Sequence, residues 1–164
     1  MEGIEGRFPN PKSQINLPFI HDILSHASVS IVGLEKNTGK TETLNYVLNR
    51  LRTMDTRIAL TSIGVDGEQT DRVTLTQKPE ITVYEGMLFV TSETHYFQRR
   101  LVSEILDVSE ERTALGRLVT ARARQSGKTL ISGPSDTAGI KKVIAAMARF
   151  GVQTTLVDGA LSRL

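Results

Sequence analysis

Between residues 33 and 41 the chain brings two glycines, two lysines and two threonines together in one short segment. The segment reads Gly-Leu-Glu-Lys-Asn-Thr-Gly-Lys-Thr, and it lies between an apolar run, 29–32, and a stretch with leucines at helical spacing. A loop in this context binds phosphate, because its backbone N–H groups and the positive end of the helix dipole both face the anion. The sequence therefore predicts a nucleotide site in which the Lys40 ammonium contacts the terminal phosphates and the Thr41 hydroxyl contacts Mg²⁺.

The spacing of this loop departs from the usual pattern at two positions. Five residues separate Gly33 from Gly39, where four are usual, so Leu34 takes the place of the first glycine. Glu42 brings a negative charge close to the α-phosphate position unless its side chain turns outward. The alternative is a helix that begins with a lysine and a threonine by coincidence, which the flanking strand and helix disfavour. The predicted nucleotide-binding residues are Lys36, Asn37, Thr38, Gly39, Lys40, Thr41 and Glu42.

A nucleotide site of this type also needs a carboxylate near the metal. Asp158 follows the β-prone run 154–157 and precedes a glycine, so we predict that it lies at the carboxyl end of a strand, where α/β proteins bind ligands. Asp66 lies in a polar loop after the strand at 57–63 and is the second candidate, either for the metal or for orienting a water molecule. Capping of a turn is the alternative for both. The predicted metal ligands are Thr41, Asp158 and Asp66, and the predicted catalytic residues are Lys40 and Asp66.

Apolar spacing around this loop predicts the elements that position it. A strand at 29–32, an amphipathic helix at 41–52 and a strand at 57–63 form a βαβ unit. A further helix, capped by Ser135 or Asp136 and ended by Gly151, precedes the last strand, at 154–157. The fold class predicted from this pattern is α/β, a P-loop NTPase-like three-layer sandwich with a mostly parallel sheet and β-hairpin insertions.

The middle of the chain predicts these insertions. Strands are expected at 72–76, 81–84 and 87–91, with a tight hairpin turn at Glu85-Gly86 joining the last two. Phe97, Leu101, Ile105 and Leu106 predict a helix over 94–106. The strands expected at 118–123 and 129–132 would form a second hairpin through residues 125–128.

The composition indicates an ordinary globular domain. The chain has 164 residues, 39% of them hydrophobic and 23% charged, and a net charge of +2, so we expect neither nucleic acid nor a membrane as partner. With no cysteine, thiolate chemistry is excluded, and a cytoplasmic compartment is expected. Residues 1–16 are expected to form a flexible tail, native or left from cloning, because Ile-Glu-Gly-Arg at 4–7 is a protease site of expression vectors. The nucleotide-binding domain would span 17–164, and either it is a fragment that lacks its C-terminal part or its sheet is small.

Several segments of the chain carry a family resemblance. They are, in chain order, 32–41, 44–45, 60–64, 66–68, 71, 78–79, 85–86, 132–135 and 157–161. In this order they resemble the P-loop subunit of the lysine 5,6-aminomutase reactivase, from about residue 28 onward. Members of that family are thought to use a nucleotide cycle to release damaged cobalamin from an adenosylcobalamin-dependent aminomutase.

The resemblance implies a Mg-ATP-binding reactivation factor and a set of roles. Lys40 and Thr41 would hold ATP and Mg²⁺, Asp158 would complete the metal shell, and 66–68 would sense the γ-phosphate as a switch loop. The implied partners are lysine 5,6-aminomutase and a second reactivase subunit, and a homo-oligomer is compatible with this assignment. Two alternatives stay open: a metabolic enzyme of the dethiobiotin-synthetase or molybdopterin-adapter type, and a module that binds nucleotide without turnover. The absence of an Asn/Thr-Lys-x-Asp motif favours ATP over GTP.

Overall fold

The computed structural model of the chain describes residues 18–33, 38–63 and 79–160. The helices in these ranges are α1 (Pro18–Leu24), α2 (Lys40–Leu51), α3 (Glu93–Phe97) and α4 (Thr137–Arg149). The strands, β1 to β8 in chain order, are Ser28–Gly33, Ile58–Ser62, Ile81–Val83, Leu88–Ser92, Ser103–Thr113, Gly116–Ala123, Gly127–Thr129 and Thr154–Ala160.

Six of the described strands form one sheet, in the order β1-β8-β2-β4-β6-β5. Neighbours among β1, β8, β2 and β4 are parallel, whereas β6 is antiparallel to both β4 and β5. β3 and β7 form a separate antiparallel pair. The predicted α/β class with a mostly parallel sheet is therefore confirmed, and the carboxyl ends of four parallel strands meet at one edge.

Helices cover both faces of the parallel part of the sheet. Leu60 and Leu156 belong to a core cluster with the apolar side chains of α1 and α2. Their chain neighbours Ala59 and Val157 pack instead with residues of α4, because successive side chains of a strand point to opposite faces. The sheet thus lies between α1 and α2 on one face and α4 on the other.

The two longer helices form where the leucine and isoleucine spacing predicts them. The buried positions of α2 are Leu44, Val47, Leu48 and Leu51. The side chain of Asp136 caps α4 by accepting a 2.7 Å hydrogen bond from the Gly139 amide. Gly151, with φ 73°, follows the end of the helix, so both predicted boundaries of α4 are confirmed.

The helix predicted over 94–106 is wrong beyond its first turn. α3 ends at Phe97, and residues from Ser103 onward form strand β5. The pairing of β5 with β6 shifts between Ile105 and Asp107 and again between Val108 and Arg112. These bulges interrupt the period-two alternation of a strand, which explains why the apolar spacing of this segment looks helical.

Both predicted hairpins are also wrong in their strand pairing. Gly86, with φ 84°, does lie in a tight turn, in which the Met87 amide donates to the Tyr84 carbonyl over 3.1 Å. However, the two strands that flank the turn do not pair with each other. β3, before the turn, pairs with β7, whereas β4, after it, belongs to the large sheet. The segment 125–128 is not the turn of a hairpin, because Gly127 and Lys128 already belong to β7, which pairs with β3 and not with β6. The strand expected at 129–132 ends at Thr129. The strand expected at 72–76 lies outside the described residues.

The hairpin that the structure does contain joins β5 to β6 through Ala114 and Leu115. It extends the sheet beyond β4. Across the described ranges, no helix is both long and apolar enough to cross a membrane.

Candidate functional site

The N-terminus of α2 begins directly after the glycine-containing loop. Gly39 occupies the cap position with φ 81° and ψ 15°, a left-handed conformation that glycine adopts without strain. No side chain caps this end of the helix in the part of the chain that the structure describes. The first amides of α2 are therefore left for another acceptor, and the helix dipole favours a negatively charged one.

The Lys40 side chain lies at this helix end and contacts strand β8. Its ammonium is 2.8 Å from Asp158 Oδ1 and donates a 3.0 Å hydrogen bond to the Gly159 carbonyl. The side chain of Lys40 is 30% exposed, whereas that of Asp158 is only 9% exposed. The structure thus brings together the predicted phosphate-binding lysine and the predicted metal-binding carboxylate.

Asp158 is placed by its position in the centre of the parallel strands. Its Cα pairs with Ile31 of β1 on one side and with Ser62 of β2 on the other. The Ile63 amide donates a 3.0 Å hydrogen bond to the Asp158 carbonyl, which ties the end of β2 to β8. Since Leu156 faces α2, Asp158 two residues later faces the same side, where the helix begins.

The Asp158 carboxylate is incompletely satisfied. Its Oδ1 atom is buried and has no aligned hydrogen bond among the described residues, although the Lys40 charge lies within ion-pair distance. A buried carboxylate oxygen without a directed donor is costly, and a cation or a hydroxyl would relieve that cost. This observation fits a carboxylate that serves a bound divalent ion.

The other predicted binding residues divide into two groups. Thr41 is half-buried on the first turn of α2, and Glu42, next to it, is exposed, as the outward orientation of its charge requires. Thr38 and Gly39 are exposed beside the helix. Lys36, Asn37 and Asp66 lie outside the described residues, so the structure brings Lys40 and Asp158 into contact, with Thr41 next to Lys40 on α2, and leaves those three predictions as they stand.

The donor set at this position is a hydroxyl and one carboxylate. Within the described ranges no group of three or more histidine, cysteine, aspartate or glutamate side chains is arranged to hold a metal. Mg²⁺ commonly takes only one or two protein carboxylates together with phosphate oxygens and water. Thr41 and Asp158 therefore fit a magnesium that arrives with a nucleotide, and do not form an all-protein metal cage.

A second polar cluster, which sequence reasoning missed, lies at the carboxyl end of β4. The Ser132 hydroxyl accepts a 2.8 Å hydrogen bond from the Ser92 amide and lies 3.1 Å from His95 Nδ1 and 3.2 Å from Thr91 Oγ1. Thr91 in turn donates to the Leu130 carbonyl over 2.8 Å. This cluster holds the segment 130–134 against the edge of the sheet that carries Lys40 and Asp158. The signal in the sequence that could have indicated part of this cluster is the three-residue spacing of Ser92 and His95, in which the Ser92 hydroxyl caps α3 by accepting from the His95 amide.

An open groove lies on the opposite face of the sheet, between α4 and the β5–β6 hairpin. It encloses about 840 Å³, with Leu118 and Met147 among its apolar lining. The Lys142 ammonium of α4 forms an ion pair with Glu111 of the hairpin. The groove has an apolar base and a rim of mixed charge.

Comparison with known proteins adds no relative. A scan against protein-family models, a search of curated proteins and a search of solved structures each found no match to this chain.

Proposed function

We propose that this chain is a Mg-ATP-binding domain of the P-loop NTPase type. The observation that carries the proposal is the placement of Lys40 at the N-terminus of α2, which no side chain of the described residues caps, 2.8 Å from the buried Asp158 carboxylate. An uncapped helix end, a lysine and a carboxylate at the carboxyl edge of parallel strands together match what a nucleotide phosphate and its magnesium require.

Each residue contributes a separate interaction in this proposal. Lys40 neutralises charge on the terminal phosphates, the Thr41 hydroxyl ligates Mg²⁺, and Asp158 provides the carboxylate of the metal shell. The first amides of α2 hold phosphate oxygens. Mg-ATP, when bound, supplies a phosphoanhydride bond whose cleavage can drive a change of conformation.

The biological role that we propose is reactivation of an adenosylcobalamin-dependent lysine 5,6-aminomutase. Its support is the order of the segments that resemble the reactivase P-loop subunit. One residue from each of two such segments lies at the carboxyl edge of the parallel strands: Gly133 approaches the Ser62 carbonyl, and Asp158 contacts Lys40. A second reactivase subunit would be the partner, and damaged cobalamin would leave the mutase in response to the nucleotide cycle.

Substitution of Lys40 tests the nucleotide site directly. We expect Lys40→Ala to weaken ATP binding in the presence of Mg²⁺ by at least about 100-fold, which corresponds to a loss of about 2.7 kcal/mol. Titration of a fluorescent ATP analogue measures the dissociation constant. Lys141→Ala is the matched control, because Lys141 is an exposed lysine on α4. Equal affinity of the two variants would show that the phosphates bind elsewhere.

Turnover measurements separate the proposed role from its alternatives. We expect ATP hydrolysis to rise when lysine 5,6-aminomutase is added, and the inactivated mutase to recover activity only with ATP and Mg²⁺. Hydrolysis that requires a small-molecule acceptor would support a metabolic enzyme. Tight binding without turnover under any of these conditions would support a nucleotide-binding module.

A further inference from the structure

The Lys40 ammonium has two partners on β8 before any phosphate is present. The Asp158 carboxylate lies 2.8 Å away and the Gly159 carbonyl accepts a 3.0 Å hydrogen bond. Both are oxygen acceptors with negative charge or partial charge, which is the chemistry that a phosphate oxygen would offer to the same ammonium. An ammonium has three N–H donors, so with both contacts to β8 in place only one remains, and Lys40 can give a phosphate more than one hydrogen bond only by giving up a contact to β8.

Loss of Lys40 would leave Asp158 in an unfavourable state. The Asp158 side chain is 9% exposed, and one of its oxygens already has no aligned hydrogen bond among the described residues. A buried carboxylate that loses the cation paired with it and gains an anionic neighbour is strongly penalised. A divalent cation at the carboxylate removes that penalty.

We propose that Asp158 holds Lys40 as an internal substitute for phosphate, so that nucleotide and Mg²⁺ must bind together. Lys40 moves from Asp158 to the phosphate only when Asp158 can move from Lys40 to the metal. This inference rests on the proposed nucleotide site and describes how that site is regulated. The ion pair suppresses the binding of metal-free nucleotide and makes the affinity for nucleotide depend steeply on Mg²⁺.

The variant Asp158→Asn distinguishes this role from that of a simple metal ligand. The amide keeps the shape of the side chain but releases Lys40, so we expect metal-free ATP, measured in EDTA, to bind at least about tenfold more tightly than to the wild-type chain. The ratio of affinities with and without Mg²⁺ should shrink correspondingly. Asp107→Asn, an exposed carboxylate on β5, is the control for the loss of one negative charge.

A simple metal ligand would give a different pattern. Asp158→Asn would then weaken binding in Mg²⁺ and leave binding in EDTA unchanged, which would overturn the inference while leaving the nucleotide site intact. If the wild-type chain bound no ATP with or without Mg²⁺, the proposed function itself would fail, and this inference with it. Should the asparagine variant not fold, Asp158→Ser gives the same comparison with a second neutral side chain.

A stability cycle tests the ion pair without any nucleotide. We expect Lys40→Met to lower the midpoint of thermal unfolding, because it leaves Asp158 without its cation, and the double variant Lys40→Met/Asp158→Asn to recover most of that loss. Additive effects of the two substitutions would show that the residues do not interact in the free chain, and would contradict the inference.

Discussion

At Gly133 two segments of backbone come very close together, beside the carboxyl end of β2. A Cβ atom built at this position would lie 1.7 Å from the Ser62 carbonyl oxygen and 3.0 Å from Thr61 Oγ1. The segment 130–134 can therefore pass over the end of β2 only with glycine at this position. Ser62 pairs with Asp158, so this passage crosses the end of the strand next to the one that carries the carboxylate.

Substitution of Gly133 by alanine should be among the most destabilising single changes in the chain. The contact atom is backbone, which cannot move aside as a side chain would, so we expect Gly133→Ala to lower the free energy of unfolding by at least about 3 kcal/mol. Denaturation with urea measures the change. The control is Gly86→Ala, where φ is 84° but nothing lies within 4 Å, so the cost should stay near about 1–2 kcal/mol. A smaller effect at 133 than at 86 would contradict the close approach.

Individual residues of the proposed phosphate site can be selected from the sequence because the features that single them out are local. Lys40 and Thr41 follow a strand and begin a helix, and Asp158 ends an apolar run, so type and neighbours suffice to select them. The contact between Lys40 and Asp158 was harder to predict from the sequence, because it depends on β8 lying beside β1 in the sheet. The Ser132 cluster was missed because its members come from two segments, 91–95 and 130–132, that are far apart in the sequence and share no motif.

At the scale of elements, α3 fastens the β5–β6 hairpin to the rest of the sheet. Glu93 accepts hydrogen bonds from the Arg117 amide at 2.9 Å and from the Arg117 guanidinium at 2.8 Å and 3.0 Å. Thr94 contributes a 3.2 Å amide hydrogen bond to the Leu115 carbonyl. These contacts fix the turn of the hairpin at the N-terminus of a five-residue helix.

The same contacts give the hairpin a defined pH dependence. The Arg117 amide, followed by its guanidinium, lowers the pKa of Glu93 below the value of 4.5 for a free side chain. A carboxyl whose pKa is lowered on folding stabilises the folded state above its unfolded pKa, and this contribution disappears as the pH falls through the folded pKa.

We therefore expect Glu93→Gln to reduce stability at neutral pH, and the difference from wild type to shrink as the pH falls below about 4.3. Unfolding by urea across this pH range measures the difference, and an NMR titration of the Glu93 carboxyl carbon measures its pKa directly. Glu110→Gln, at an exposed position on the same hairpin, controls for the loss of one charge. A difference that is independent of pH would contradict the assignment of this stabilisation to Glu93.

The elements differ in how far the sequence determines them. α2, α4, β2 and β8 follow from apolar periodicity and cap residues, because each buries one continuous stripe or run. The pairing of β3 with β7 and of β5 with β6 does not, since turn residues specify where the chain reverses and leave the choice of neighbouring strand to tertiary packing.

At the scale of the whole molecule, β8 lies inside the sheet although it comes last among the described strands. Leu156 at its centre is fully buried between β1 and β2, in the cluster that also contains Leu44 and Leu48 of α2. The core that supports the helix N-terminus therefore depends on a strand far away in the sequence.

Truncation of this side chain should weaken the entire fold. We expect Leu156→Ala to lower the free energy of unfolding by about 2–5 kcal/mol, because it leaves a cavity among close-packed neighbours. Val102→Ala, at a site that is 57% exposed, should change it by less than about 0.5 kcal/mol. Calorimetric unfolding measures both variants, and a Leu156 effect as small as that of Val102 would show that β8 is not part of the core.

The position of β8 between β1 and β2 affects how the protein folds during synthesis. In the described part of the chain β1 has β8 as its single strand neighbour, so β1 has no hydrogen-bonded neighbour until residues 154–160 have left the ribosome. Closing so long a stretch of chain is entropically slow. Newly made molecules should consequently complete the proposed nucleotide site late, in the same event that completes the sheet.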